Sequence, residues 1–158
     1  MVNRFVYKPD NQDIYLFLGL LFTIYLTIRA IVIPITIDEA GTYYNYMPRS
    51  VADILLFNGD PSPNNHILNT LSMKLFTALF GTTTFVVRLP NLMGFLLFYT
   101  AAVRLFTLMF KTRILVIAAL LVLLCNPYLL DFFAVSRGYG LSIAFMLWSL
   151  YQFYQYYN

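Results

Sequence analysis

Three acidic residues in the sequence have neighbours that suit proton transfer. Asp38 and Glu39 are adjacent and follow a long apolar run, and Asp131 follows another apolar run. A carboxylate at the edge of hydrocarbon is costly to desolvate unless it is paired. If these acids share one membrane boundary, one can act as a general base while its neighbour orients it, binds a metal or contacts substrate. The alternative is that all three are solvated acids at helix ends.

Three basic or imidazole side chains could bind an anionic substrate near those acids. Arg137 precedes a Gly-Tyr-Gly stretch, where a guanidinium can bind phosphate in a bidentate manner or contact lipid headgroups. Arg88 could pair with Asp38 or Glu39, bind an anion, or anchor the chain at the interface. His66, the only histidine, could ligate a metal or contact a phosphate, and it could equally be an ordinary helix-end residue.

Composition indicates what kind of structure must position these residues. The chain has 158 residues, of which 60% are apolar and 11% are charged, and its mean hydropathy is +0.70. Soluble domains contain about 25% charged residues, and a chain this short cannot bury so much apolar surface in one core. We therefore expect an all-α, polytopic membrane helix bundle that forms a single membrane domain. A soluble, disordered or nucleic-acid-binding protein is disfavoured, because the net charge of +3 comes from scattered residues.

Four segments have the character of transmembrane helices, for which about 20 apolar residues are needed. They are 14–35, 89–110, 114–130 and 138–157. Arg29 is close to the end of the first of these helices, so its long side chain can place its charge at the membrane interface. Pro90 is expected in the first turn of the second, where its missing N–H costs little. Asn126 and Pro127 are expected to loosen the last turn of the third, and the tyrosine-rich end of the fourth suits an interfacial belt.

The segment 66–80 admits two interpretations. As a helix it is about 22 Å long, which is short for a span. Its leucines recur at helical spacing, with most polar residues elsewhere, and this pattern favours an amphipathic helix in the interface over a fifth span. The leucines are Leu68, Leu71, Leu75 and Leu79. A short helix is also predicted over 50–57, before a turn-rich stretch at 58–65.

The interfacial interpretation determines the topology. The first loop, about 36–88, then lies outside, and a loop at 131–137 lies on the same face. The inner face then holds five basic residues, and the positive-inside rule modestly favours this arrangement, since four others remain outside. The inner residues are Arg4, Lys8, Arg104, Lys111 and Arg113, and the outer ones are Arg49, Lys74, Arg88 and Arg137. The outer face holds Asp38, Glu39, Asp53, Asp60 and Asp131. A spanning helix at 66–80 would instead separate Asp131 from Asp38 by the thickness of the membrane.

The order of these features resembles the N-terminal part of the GT-C superfamily of membrane glycosyltransferases, which includes protein O-mannosyltransferase and aminoarabinose-transferase-like families. The resemblance rests on Ile37-Asp38-Glu39-Ala40, on the histidine-led stretch 66–81, on Arg88-Leu89-Pro90-Asn91, and on the segment from Asn126-Pro127 through Asp131 to Ser136-Arg137-Gly138-Tyr139. The chain departs from the family at Asn65-His66-Ile67, where His-Pro-Pro is frequent. Family members are usually several times longer, so we expect this chain to be an N-terminal part of a longer module.

The resemblance implies transfer of a hexose or pentose from a polyprenyl-phosphate donor to an extracytoplasmic glycan, lipid or protein. The expected location is the bacterial cytoplasmic membrane, with the active face outside. Asp38 matches the family's first-loop acid and is the expected general base.

The same resemblance suggests roles for the other candidate residues. Glu39 would orient the acceptor or a metal ion, and Asp131 would complete the acidic set. Arg88 and Arg137 would stabilise the departing phosphate, with His66 and Tyr139 also at the substrate. A divalent metal ion could assist, but the residue pattern demonstrates no metal site. The alternative function is a non-catalytic membrane subunit of a polysaccharide or lipid export or assembly system.

Overall fold

The structure, a computed structural model, describes residues 12–58 and 65–157, and most of these residues are helical. Within those ranges there are eight α-helices and no strand. They are α1 (Gln12–Val32), α2 (Ile37–Asn45), α3 (Val51–Leu56), α4 (Ile67–Phe80), α5 (Thr84–Met109), α6 (Arg113–Leu124), α7 (Pro127–Ala134) and α8 (Tyr139–Tyr157). The predicted all-helical class is confirmed. The predictions for Arg4, Lys8, Asp60 and most of the turn-rich stretch lie outside the described residues.

Two helices are long and apolar enough to cross a membrane. They are α1 and α5, and α6 with α7 provides a third span if this bent pair is counted as one. At 1.5 Å per residue, α1 is about 31 Å long and α5 about 39 Å. The helix predicted over 138–157 forms as α8. Its tyrosines and glutamines lower its mean hydropathy, so it is not among the potential spans. The described chain is therefore a helical protein with two or three potential spans, and a four-span topology stays a prediction.

The helix that contains Arg88 starts earlier than its predicted first residue at 89. Thr83 caps α5, and its side-chain oxygen accepts a hydrogen bond from the N–H of Val86. Pro90 therefore lies inside α5, and its predicted place in the first turn is wrong. The consequence is that Arg88 projects from a regular helix instead of from a loop.

The predicted third span is broken into two helices. The axes of α6 and α7 are bent by 66° at the break. The side chain of Asn126 accepts hydrogen bonds from two N–H groups of α7, and Pro127 occupies a first-turn position. These residues start a new helix, where we expected a loosened last turn. Asp131 accordingly lies within α7, and the loop predicted at 131–137 begins only after Ala134.

The central helix of the bundle is α5, against which α1, α4, α6, α7 and α8 all pack. The ring of Phe133 in α7 packs on Phe95 and Phe98 of α5, with centroid distances of 5.6 and 5.1 Å. Gly140 permits close approach at the start of α8, since a Cβ there would lie 2.5 Å from the carbonyl oxygen of Phe132. The connection between α7 and α8 is thereby held beside the first turns of α5.

Helix α4 turns its polar face toward the protein. Its buried residues are Asn69, Thr70, Met73 and Thr77, whereas Leu68, Leu75 and Leu79 are all more than half exposed. Helices thus form within both predicted segments, α4 within 66–80 and α3 within 50–57. An outward leucine face suits a helix lying against lipid, and the interfacial position of α4 stays a prediction.

Candidate functional site

The centre of the candidate site is a buried ion pair between Glu39 of α2 and Arg88 of α5. Both side chains have 0% exposure. The Nε of Arg88 donates to Oε1 of Glu39 at 2.7 Å, and Nη2 donates to Oε2 at 2.7 Å. Such a bidentate pair is among the stronger side-chain contacts. Each charge also requires the other, because an unpaired buried charge is costly.

Arg88 also caps the C-terminal end of α1. Its Nη1 donates to the carbonyl oxygens of Ala30 and Ile33 at 2.9 and 2.7 Å, and Nη2 donates to that of Pro34 at 3.0 Å. Pro34 has no N–H, so the Ala30 carbonyl lacks the partner that a continuing helix would provide. The five N–H donors of Arg88 are all used, and its charge lies at the negative end of the α1 dipole.

Glu39 is held by main-chain donors as well as by Arg88. The N–H of Thr36 donates to Oε2 at 2.9 Å as part of the α2 capping box, and the N–H of Ser136 donates to Oε1 at 2.7 Å. Burial, the largest influence, raises the pKa of the Glu39 carboxyl. The hydrogen bonds from Arg88, Ser136 and Thr36 together outweigh it and leave the pKa below its ordinary value. Ionised Glu39 thus ties α2 to α5 and to the α7–α8 connection.

The roles predicted for Glu39 and Arg88 at the substrate do not fit this geometry. Both carboxylate oxygens and all the guanidinium donors are occupied within the protein, and neither side chain is exposed. Glu39 is therefore not placed to orient an acceptor or a metal ion. Arg88 is likewise not placed to stabilise a phosphate. Of the roles that the sequence suggested for Arg88, the structure shows the ion pair with Glu39.

Asp38 lies beside this pair and reaches the surface. Its side chain is 47% exposed, and its Oδ2 lies 3.4 Å from the Nε of Arg137, which is 38% exposed. This is an ion pair without hydrogen-bond geometry, and the Arg137 Nε has no hydrogen-bond partner in the described part of the chain. The ring of His66 packs edge-on against Tyr139 at a centroid distance of 4.8 Å. We call Asp38, His66, Arg137 and Tyr139 the rim cluster.

The pKa of His66 offers a direct test of the rim cluster. Burial lowers the pKa of the imidazole below its ordinary value of 6.5, and the negative charge of Asp38 partly opposes this shift. Removing that charge in Asp38→Asn is therefore expected to lower the pKa of His66 further. His66 is the only histidine, so NMR of protein labelled at histidine reports this one group. Asp13→Asn, at the far end of α1, should leave the titration unchanged, and an unshifted pKa in Asp38→Asn would contradict the electrostatic interaction between Asp38 and His66.

Gly138 allows His66 to approach the α7–α8 connection. Its φ is +78°, and a Cβ at this position would lie 2.5 Å from both Cβ and Cγ of His66. The backbone conformation and the close contact both favour glycine. Gly138 therefore allows the imidazole of His66 to take its place in the rim cluster.

Gly138→Ala is expected to lower stability by about 1–3 kcal/mol and to shift the His66 NMR signals, because the new methyl group must displace the ring. Thermal unfolding in detergent measures the first effect. Gly81→Ala provides a matched control, since Gly81 also has a positive φ, +85°, but nothing lies within 4 Å of its added Cβ. That control should leave the His66 signals in place. Equal His66 spectra in the two variants would refute the close contact.

Asp131 pairs with Arg29 and does not join the rim cluster. Its Oδ1 lies 2.6 Å from Nη2 of Arg29, in the last turn of α1. Arg29 also donates to the hydroxyl of Tyr25 at 3.0 Å. Asp131 is thus near the same end of α1 as Asp38, but no hydrogen bond or ion pair connects these two acids. Each acid is paired with its own arginine, and a proton-transfer site shared by both stays a prediction.

A buried amide network beneath the rim was missed by sequence reasoning. Oδ1 of Asn69 accepts from Nδ2 of Asn91 at 2.8 Å and from the hydroxyl of Ser136 at 3.3 Å. These residues join α4, α5 and the α7–α8 connection. The available signals were an asparagine on the buried face of α4 and the Asn that follows Arg-Leu-Pro. The Thr-x-x-Glu capping box at Thr36 was also readable from the sequence.

The fold and the site together define a class: an all-helical protein with helices of membrane-crossing length and an ionisable rim above a buried ion pair. Among residues 12–58 and 65–157, no three His, Cys, Asp or Glu side chains lie close enough to hold a metal ion. No protein-family model, curated protein or solved structure matches the chain.

Proposed function

We propose that the chain belongs to a GT-C-type membrane glycosyltransferase, which transfers a sugar from a polyprenyl-phosphate donor to an extracytoplasmic acceptor. The observation that supports this proposal is the contrast between two adjacent acids. Glu39 is fully buried and held by four hydrogen bonds, whereas Asp38 is 47% exposed. Anchoring Glu39 restricts the main chain of Asp38, and a general base requires such a positioned carboxylate.

In the proposed reaction, Asp38 accepts the proton of the acceptor hydroxyl as its oxygen attacks the anomeric carbon of the sugar. The bond between that carbon and the donor phosphate breaks, and its electron pair leaves with the polyprenyl phosphate. Arg137 lies next to Asp38 and its side chain is 38% exposed, so its charge suits stabilisation of the phosphate. The half-exposed Asp38 then releases its proton to solvent.

His66 and Tyr139 are proposed to bind the sugar or the acceptor beside that base. The lowered pKa of His66 favours the neutral imidazole, which offers one donor and one acceptor. Tyr139 is 45% exposed and provides a hydroxyl and an aromatic face. Glu39 and Arg88 are positioning residues in this proposal, and Asp131 has no assigned step.

Glycan analysis of a strain that lacks the gene tests the proposed class of function. Mass spectrometry of envelope glycans, lipids and proteins should show loss of one sugar, restored by the wild-type gene. An unchanged profile would contradict glycosyl transfer and favour the non-catalytic membrane subunit.

A further inference from the structure

A cavity lies between α1, α5 and α8, away from the rim cluster. Its volume is about 590 Å³, and its lining includes Leu16 of α1, Thr100 and Arg104 of α5, and Tyr151 of α8. Along α5, Arg104 is about 24 Å from Arg88 at 1.5 Å per residue. The cavity is therefore at the opposite end of the bundle from the buried ion pair.

Arg104 is the cationic group of this cavity. Its guanidinium carbon lies 5.4 Å from the centroid of the Trp148 ring and 6.0 Å from that of Tyr151. A guanidinium over aromatic rings can still donate its N–H edge to an anion. None of the ion pairs among the described residues includes Arg104. A bidentate oxygen ligand would match this free edge.

The surroundings favour a ligand that is anionic at one end and apolar at the other. Lys111 is on the turn between α5 and α6, and Arg113 is the first residue of α6, at the same end of the bundle. Asp13 is the one acidic residue that the described chain places at this end. The remaining lining is largely aliphatic and aromatic, including Leu16 and Val103.

We propose that this cavity binds one anionic phospholipid. The phosphate accepts hydrogen bonds from Arg104, and an acyl chain lies along Leu16 and Val103. The volume falls within the roughly 300–1,000 Å³ typical of small-molecule sites. Basic pockets between membrane helices bind anionic headgroups, and Trp148 and Tyr151 suit the headgroup level. This proposal is independent of the proposed glycosyl transfer, because the two sites share no residue.

Native mass spectrometry of the whole purified chain tests this proposal. The probes are phosphatidylglycerol and phosphatidylcholine with identical acyl chains. We expect one bound phosphatidylglycerol and a preference for it of roughly fivefold or more. Equal binding of the two lipids would overturn the proposal, as would displacement of phosphatidylglycerol by an equal concentration of inorganic phosphate.

Three variants separate the cavity from general surface charge. Arg104→Gln should abolish the preference, whereas Arg113→Gln, which removes a cation outside the lining, should retain it. Thr100→Trp should reduce binding of both lipids by filling the cavity while Arg104 remains. Thr100 is exposed and its hydroxyl donates to the Leu96 carbonyl of its own helix, so we expect this change to preserve the packing between helices. Equal effects of the two arginine variants, or unchanged binding in Thr100→Trp, would refute the site.

Discussion

Replacing Arg88 with Met is expected to destabilise the folded chain by about 3–5 kcal/mol, the range for breaking a buried ion pair. Methionine has a similar length and no charge. The variant therefore leaves ionised Glu39 buried without its partner, and it leaves the carbonyl groups at the end of α1 without donors. The free energy of unfolding, measured by circular dichroism during titration with a denaturing detergent, checks this expectation.

Two further variants test whether the loss of stability in Arg88→Met comes from the buried ion pair. Arg113→Met removes an exposed arginine and should change stability by no more than about 0.5 kcal/mol. Adding Glu39→Gln to Arg88→Met should recover part of the loss, since it removes the unpaired buried charge. A loss in Arg88→Met no larger than that in Arg113→Met would show that the buried pair does not organise the site.

Asp38→Asn is expected to lower sugar transfer by about 10²- to 10⁴-fold, the usual contribution of a general base. Asparagine preserves the shape of the side chain but cannot accept the proton. Because Asp38 is half exposed and makes only a long ion-pair contact, the folded structure should persist. Transfer of radiolabelled sugar from a polyprenyl-phosphate donor, in membranes containing equal amounts of each full-length variant, measures the effect.

The matched control for Asp38 is Asp13→Asn, the same substitution in an exposed acid at the other end of α1. It should retain wild-type transfer. Wild-type transfer by Asp38→Asn would rule out the assigned base. Loss in Asp131→Asn with retention in Asp38→Asn would move the base to the acid that is now paired with Arg29.

Several local features could be predicted because their causes are local. Composition indicates a helical membrane protein, and the leucine period predicts α4. Two predicted helix boundaries were wrong because local N-capping residues start the helices at other positions. Thr83 starts α5 before 89, and Asn126-Pro127 starts a new helix in the middle of the third predicted span. Such signals act over a few residues, so the sequence contains the information that corrects them.

The division of roles between Asp38 and Glu39 was decided only by the tertiary structure. Adjacent residues on a helix point about 100° apart, so the sequence identifies an acidic pair but not which member faces the bundle. That choice depends on Arg88 and on the N–H of Ser136, which are far away in the chain. The pairing of Asp131 with Arg29 was set in the same way, by the bend between α6 and α7. Sequence alone determined the helical class and the chemical types at the site, because these follow from composition and neighbouring residues. Burial and pairing follow from contacts between distant segments, and these determine which acid remains free to react.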